Sequence, residues 1–269
     1  MRVVVRSASV WGRGLPGWAR AAEVLRDPTL WDGVSAVAPA ATHLPPNERR
    51  RAGPVTRLAL AVAQEACTLA QVDPAEVSAL FASANGDGGV IDTILEALCT
   101  PGGDVSPTQF HNSVHNAPAG YWTISHGSIA PATAVGGFDW SFGQGLLKAA
   151  AEAVVEAHPV LFVAYDLPIP GPIGTVRVTT ETFACAMLLD PDLSAPGLAS
   201  LDMTYDATTD EGDDPDNPAL RQLAHENPAA RGLALLGALA RQDECCVRVA
   251  CLNGHLKIEV RPCSTVQKF

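Results

Sequence analysis

The chain has little positive charge for its length. Its 269 residues include 18 lysines and arginines against 29 aspartates and glutamates, which gives a formal net charge of −11. Binding to a nucleic-acid backbone requires a basic stripe that displaces counterions, and the sequence has none. The one basic run, Arg49–Arg51, is interpreted either as a solvated entry to the next helix or as a contact for an acidic protein or a phosphate. We therefore expect no nucleic-acid partner.

Long apolar runs and paired cysteines are also missing. No apolar stretch reaches the length of a membrane span, and the opening MRVVVRSASVWGRG alternates like a strand and has no apolar signal-peptide core. The seven cysteines are odd in number, scattered and without C-x-x-C spacing, so we expect reduced thiols that mostly pack in the core. Together these features predict a cytoplasmic protein without a membrane span.

Phosphate-loop and metal-site motifs are absent as well. Asn85–Gly89 lies between a buried strand (78–83) and a helix (90–98), but it lacks the P-loop Lys-Ser/Thr and misses the G-x-G-x-x-G spacing. It is predicted to be a tight turn that needs positive φ. The order of acids in 202–216 does not fit a calcium-binding loop, which favours a solvated, mobile segment.

Three histidines could suggest a metal or acid–base cluster, but their context does not support one. His111 and His115 have helical i,i+4 spacing without a helix-forming sequence around them, and His126 precedes a glycine at a predicted helix end. We expect structural or interface roles and no metal site.

What the chain does contain is a large apolar share. Hydrophobic residues make up 47% of the sequence, which is ample for a buried core, and 269 residues permit one large domain or a domain with an appended subdomain. Asn253-Gly254, between two alternating runs, is the strongest hairpin signal. The pattern predicts the following elements: a strand at 3–10, a loop at 39–54, a helix at 55–71, a buried helix at 141–157, a central strand at 160–165, a long strand at 176–189, a helical segment at 229–241 and a hairpin at 246–260.

The stretch 106–150 holds most of the functional information. An apolar strand ends at Gly136-Gly137 and bends sharply into a helix, which is the geometry that lifts one side chain into a pocket. Asp139 stands at the top of this bend between Phe138 and Trp140. Neither Cys nor Ser occupies the apex.

The same stretch resembles the N-terminal half of β-ketoacyl synthases, the thiolase-fold condensing enzymes. The residues that carry the resemblance are Ser106-Pro107, Asn116, Ala119-Gly120, Ile124, Gly127, Pro131 and Ala149-Ala150. Their register places Asp139 where that family has its nucleophilic cysteine, and a slip of one residue would place Phe138 there. The resemblance implies a thiolase-like, layered α-β-α fold with a single synthase-type half. We expect residues 1–200 to form that half, and 201–269 to complete the same domain with helices and a C-terminal β-hairpin.

The resemblance also implies a function without catalysis. A condensing enzyme needs an acyl-carrying thiolate and a histidine pair for decarboxylation. His225 and His255 do not resemble that pair and are expected at the surface. The chain is therefore similar to chain length factors of aryl polyene (xanthomonadin-type) biosynthesis, which implies no cofactor, a catalytic ketosynthase as heterodimer partner, and an acyl carrier protein reached through that complex. The residues expected at the acyl tunnel and interface are Phe138, Asp139, Trp140, Phe142, Asn116 and His115.

Two further expectations concern the bend. The apolar strand at 132–137 would be an exposed sheet edge in an unpaired copy, so we expect obligate pairing. The alternative function is an α/β-hydrolase in which Asp139 is a carboxylate nucleophile, which would require a histidine such as His225 or His255 in a suitable loop.

Overall fold

The computed structural model of the chain describes residues 1–35, 37, 39–208 and 211–263. One mixed nine-stranded sheet runs through it, in the order β4-β3-β5-β6-β1-β7-β9-β8, with the short β2 paired to β1. The strands are β1 (Arg2–Gly12), β2 (Leu15–Pro16), β3 (Ser78–Ala82), β4 (Ala132–Val135), β5 (Val160–Asp166), β6 (Phe183–Asp190), β7 (Ala199–Asp206), β8 (Cys245–Cys251) and β9 (Gly254–Pro262). Strands β4, β3 and β5 are parallel, and the other neighbouring pairs are antiparallel.

Helices cover both faces of this sheet. They are α1 (Trp18–Arg26), α2 (Pro46–Arg51), α3 (Pro54–Ala70), α4 (Gly88–Cys99), α5 (Pro107–Ser113), α6 (Ala117–His126), α7 (Ser141–Glu156), α8 (Gly171–Val176), α9 (Pro218–Glu226) and α10 (Leu233–Arg241). Helix α2 lies within the segment predicted to be a loop, where Pro46 at the first turn suits a helix start. None of the helices in the described part of the chain combines the length and apolar character that crossing a bilayer requires.

Strand alternation divides the core into two layers. Along β5, Val160, Phe162 and Ala164 face the layer that contains α1, α7 and α10, whereas Leu161 and Val163 face the layer that contains α3 and α6. All seven residues of β5 are buried, as expected for a central strand covered on both sides. The predicted layered α-β-α arrangement is confirmed.

Helix α7 is the predicted buried helix. Leu146 and Ala150 lie in its buried stripe, and Phe142 packs edge-on against Phe162 of β5 at 5.3 Å between ring centroids. Val154 on the same helix is exposed. It lies beside the stripe, whose centre follows positions 142, 146, 149 and 153 at the helical period.

The predicted long strand at 176–189 is wrong in its first half. Residues 171–176 form α8, residues 177–182 form a loop, and the strand begins at Phe183. Alternating Val and Thr residues suggested a strand, but the chain turns too tightly there for one. A Cβ atom at Gly174 would lie 2.0 Å from the Ile169 carbonyl oxygen, so only glycine allows this close approach.

The C-terminal hairpin is confirmed as β8 and β9, and Asn253 at its turn has the positive φ of 58° that a tight hairpin turn uses. The expectation that His255 lies at the surface is wrong: it is buried, and it lies on β9, which is an inner strand between β7 and β8. His225 is exposed and lies 2.8 Å from Asp214. The proposed division at residue 200 falls inside β7 and stays a prediction.

The acidic segment has more structure than predicted. Its first part belongs to β7, and Asp213 lies along the outer edge of β8, where its backbone N–H donates to the Arg248 carbonyl at 2.8 Å. The Asp213 carboxylate also accepts from the Arg248 backbone N–H at 2.7 Å. Asp210, which belongs to the same segment, lies outside the described residues. The loop therefore covers one edge of the sheet, while the opposite edge strand, β4, has only β3 as a neighbouring strand within the described ranges.

Candidate functional site at the strand-to-helix bend

The site is built on three parallel strands. The carboxyl ends of strands β3, β4 and β5 lie on the same side of the sheet, and the loops that follow these strands meet there. After β4, Gly136-Gly137 leads into a short 3₁₀ turn, Phe138–Trp140, and then into α7. The Ser141 hydroxyl closes the bend, since it accepts from the Gly137 N–H at 2.9 Å and donates to the Phe138 carbonyl at 2.7 Å.

Phe138 is the strained residue of the bend. Its φ of 53° lies in the left-handed region, which large side chains seldom adopt. In nucleophile elbows such a sharp strand-to-helix turn exposes the reactive side chain. Here it exposes a phenyl ring, with 57% of the residue accessible. The sequence left Asp139 and Phe138 open as the apex of the bend, and the backbone strain is at Phe138.

Asp139 follows the apex and is engaged by two arginines. Its carboxylate lies 2.6 Å from Nη1 of Arg177 and 3.6 Å from Nη2 of Arg231. The hydrogen bonds of His115, His126 and His225 are made to groups other than Asp139. A carboxylate nucleophile needs a free oxygen and a histidine that activates water. The geometry therefore gives the hydrolase alternative no support.

Arg177 is the residue that sequence reasoning missed. Its guanidinium carbon lies 3.9 Å from the centroid of the Phe138 ring, a cation–π contact. Its Nε donates to the Asn85 side-chain oxygen at 3.0 Å. Its Nη2 is buried and has no hydrogen-bond partner within the described residues. The wrong strand assignment for 176–189 concealed it, because a strand would have placed Arg177 away from the bend.

A buried carboxylate organises the loop after β3. Asp166, at the end of β5, accepts from the Ser83 hydroxyl at 2.8 Å and from the backbone N–H groups of Ala84 and Asn85 at 3.0 Å each. Burial raises the pKa of Asp166 to about 6, although these hydrogen bonds and Arg177 lower it in part. Gly86 supplies the positive φ predicted for this turn. The loop is thus fixed in the position from which Asn85 contacts Arg177.

The other predicted site residues lie at different depths. Trp140 is half-buried, with its ring centroid 6.4 Å from that of Phe138. Phe142 is fully buried in the core beneath the bend. His115 Nε2 is 3.0 Å from the Val135 carbonyl at the end of β4, and Asn116 is exposed at the start of α6. Phe138, Trp140 and His115 thus lie together at the carboxyl end of β4, whereas Phe142 lies in the core.

The remaining histidines and the thiols make no reactive cluster in the described ranges. His111 stacks edge-on with Tyr121, and His126 stacks on His43. No group of three or more His, Cys, Asp or Glu side chains is arranged there to hold a metal ion. Burial raises the pKa of Cys67 to about 12 and raises that of Cys185 further, which keeps both as unreactive thiols at neutral pH.

Comparison with known proteins identifies the family of the chain. The family model for the β-ketoacyl synthase, N-terminal domain, matches residues 18–251, most of the chain. The chain belongs to this family. No curated protein matches the sequence.

Solved structures share the fold of this β-ketoacyl synthase family member over nearly its whole length. One is the ketosynthase ApeO in complex with its chain length factor ApeC from Xenorhabdus doucetiae, with 21% identity and a TM-score of 0.69 over 96% of this chain and 99% of that one. The ishigamide ketosynthase/chain length factor has 14% identity and a TM-score of 0.67 over 97% and 99% of the two chains. The AntDE:AntF complex of an acyl-carrier protein with its ketosynthase has 13% identity and a TM-score of 0.73 over 97% and 99%.

Proposed function

We propose that the chain is a non-catalytic, chain-length-factor-like partner of a β-ketoacyl-ACP synthase in polyene, polyketide or fatty-acid-type chain elongation. The observation that carries the proposal is the residue at the elbow. The strained position at the end of β4 holds Phe138, and the next residue is the ion-paired Asp139. The chain thus has the synthase elbow without its nucleophile.

The chemistry of condensation supports this assignment. A condensing enzyme must form an exchangeable thioester, which requires a thiolate at the elbow. The cysteines lie elsewhere: in α3, at the end of α4, in β6, in β8 and after β9. An aspartate could form only a mixed anhydride, which water would hydrolyse.

The free edge of the sheet supports a partner chain. Among the described residues, strand β4 pairs with β3 on one side and with no strand on the other, whereas the Asp213 loop covers the edge at β8. An unpaired edge strand is a template for pairing with another chain. Pairing at β4 would bring the bend at Phe138 next to the partner.

Helix α4 supports the same surface because its apolar side points outward. Its buried residues are Gly88 and Asp92, while Leu98 is 66% exposed. A surface helix of a monomer normally shows the reverse pattern. Helices α4, α5 and α6 contact one another in turn, α6 reaches β4, and Phe110 on α5 is 67% exposed. We call this continuous region the α4–β4 surface, and its exposed apolar residues suit a protein–protein interface.

The bend would then shape the partner's acyl tunnel. A tunnel ends where side chains fill it, so the exposed ring of Phe138 and the half-buried ring of Trp140 are suited to limit chain length. Removing either ring should give longer products. Phe142 was expected to act with them, but it packs inside α7, and we expect Phe142→Ala to cost about 3–5 kcal/mol of stability as a core cavity.

Arg49–Arg51 on α2 is suited to contact an acyl carrier protein. The three side chains are exposed, as is Arg57. No other lysine or arginine occurs between residues 27 and 147. Helix α2 is held against α5, because the Asn112 amide donates to the Arg51 carbonyl at 2.7 Å. A cationic patch on an otherwise acidic chain favours an acidic partner surface.

Reconstitution tests the proposal. We expect the purified chain alone to give no condensation of acyl and malonyl carrier-protein thioesters, and co-expression with a condensing synthase to give an active complex of the two chains in size-exclusion chromatography. Cys67→Ala and Cys185→Ala should leave the activity of a folded pair largely intact, whereas loss of the partner's own nucleophilic cysteine should abolish it. Condensation by the isolated chain would overturn the proposal.

A further inference from the structure

We propose that Arg177 is a positioning residue that fixes the Phe138 ring toward the partner and thereby helps to set product length. The inference rests on the proposed function. The observation behind it is that one guanidinium group contacts the ring, Asn85 and Asp139 at the same time.

The contacts define both the place and the plane of the guanidinium. Its Nε–H donates to Asn85 Oδ1 at 3.0 Å, and its Nη1 lies 2.6 Å from Asp139 Oδ1. Two donors of a rigid, planar fork held by two acceptors leave little rotation. The ring of Phe138 then has a fixed cation 3.9 Å from its centroid.

The groups that hold Arg177 are themselves anchored. Asn85 donates through its side chain to the Thr179 hydroxyl at 3.0 Å and through its backbone to Asp166. Asp139 is also within 3.6 Å of Arg231. The guanidinium is therefore held by the loops that follow β3 and β4 together with the buried carboxylate that ends β5.

The arrangement is not explained by stability. Nη2 of Arg177 is buried without a partner in the described structure, and leaving a buried donor without a hydrogen bond destabilises a fold. Phe138 also has a strained backbone and leaves most of its surface exposed. A contact that accepts these costs while burying little apolar area is better understood as a conformational constraint on the ring.

The consequence for length is steric. Phe138 is mostly exposed, and the Arg177 cation restricts where its ring can lie. Without Arg177 the Phe138 ring could adopt other positions, and it would block the end of the tunnel less completely. We expect loss of Arg177 to act in the same direction as loss of the ring.

The test compares Arg177→Met, Phe138→Ala and the double variant in the reconstituted pair. Methionine keeps much of the arginine stem and removes the charge and the fork. By mass spectrometry of products, both single variants should shift the distribution to longer chains, and the double variant should match Phe138→Ala alone. Arg177→Lys should restore part of the wild-type distribution, because it keeps a cation but cannot bond Asn85 and Asp139 together. Arg221→Met, which removes an exposed ion pair with Asp214, is the matched control.

A second measurement does not depend on the partner. With 4-fluorophenylalanine at position 138 of the isolated chain, Arg177→Met should shift and narrow the ¹⁹F resonance as the ring gains mobility, while Arg221→Met should leave it unchanged. An unaltered resonance would overturn the inference. So would a folded Arg177→Met pair with wild-type products, provided that the Phe138→Ala pair gives longer ones. If Phe138→Ala itself changes nothing in a folded pair, the proposed tunnel role fails instead, whatever the resonance shows.

Discussion

His43, in the loop before α2, and His126, at the end of α6, form a pH-sensitive contact. The rings of His43 and His126 stack with centroids 5.3 Å apart, and His126 Nε2 lies 2.8 Å from the Gln64 side-chain oxygen. Burial, with a smaller effect of His126, lowers the pKa of His43 to about 4. Burial also lowers the pKa of His126, although the Trp122 carbonyl and Asp73 oppose this. Both rings are therefore neutral in the folded chain at pH 7.

We expect this pair to destabilise the fold in acid. An unfolded histidine titrates near pH 6.5, so between pH 6.5 and 4 the unfolded chain binds a proton that folded His43 does not. The free energy of unfolding should fall across that window. Asp166 acts in the opposite direction, since its raised pKa favours the folded state as the pH falls through about 6. Because His43 and Asp166 change the free energy of unfolding in opposite directions, the effect of His43 must be measured by comparing the wild type with a His43 variant.

His43→Gln should lose less stability than the wild type between pH 7 and pH 4.5 in urea unfolding. His225→Gln, which changes an exposed histidine, should follow the wild type. Equal pH dependence in the His43 variant and the wild type would contradict the assignment.

At the scale of elements, two helical glycines predict opposite effects of one substitution. A Cβ atom at Gly143 in α7 would lie 2.2 Å from the Ala250 carbonyl oxygen, whereas one at Gly120 in α6 would meet no atom within 4 Å. We expect Gly143→Ala to destabilise the chain by about 1–3 kcal/mol through overpacking. Gly120→Ala should stabilise it by up to about 1 kcal/mol through helix propensity. Chemical denaturation measures the free energy of unfolding of both variants. If both substitutions change it in the same direction, helix propensity and not the contact with β8 decides their stability.

Elements with strong local signals could be predicted from the sequence. The buried strand β5, the helix α7 and the turn at Asn253 each follow from hydrophobic period or turn chemistry. The segment 176–189 could not, because its first half depends on the contact between Gly174 and the Ile169 carbonyl, which no local pattern reveals. Arg177 was missed with it. The bend was predicted from Gly136-Gly137, but the strain that identifies Phe138 as its apex exists only in the folded backbone.

At the scale of the whole molecule, the two edges of the sheet are treated differently. The acidic loop follows the outer side of β8, so the charge that the sequence concentrates there contributes to closing an edge. In the part of the chain that the structure describes, no strand or loop pairs with the outer side of β4, which lies beside the outward apolar residues of α4 and α5. This asymmetry predicts association through one side of the chain only.

A charge placed on that side should prevent pairing. Leu98 on α4 is 66% exposed in the single chain and should be desolvated in the pair, so Leu98→Glu would bury a carboxylate without a partner. Val155→Glu is the matched control, because Val155 is 77% exposed on α7, which packs on the face of the sheet opposite to α6. We expect Leu98→Glu to weaken the complex at least tenfold, or about 1.4 kcal/mol, and Val155→Glu to leave it unchanged. Both isolated variants should unfold at the wild-type urea concentration, because neither side chain is in the core. If sedimentation analysis gives equal dissociation constants for the two complexes, the partner binds elsewhere and the α4–β4 surface is not the interface.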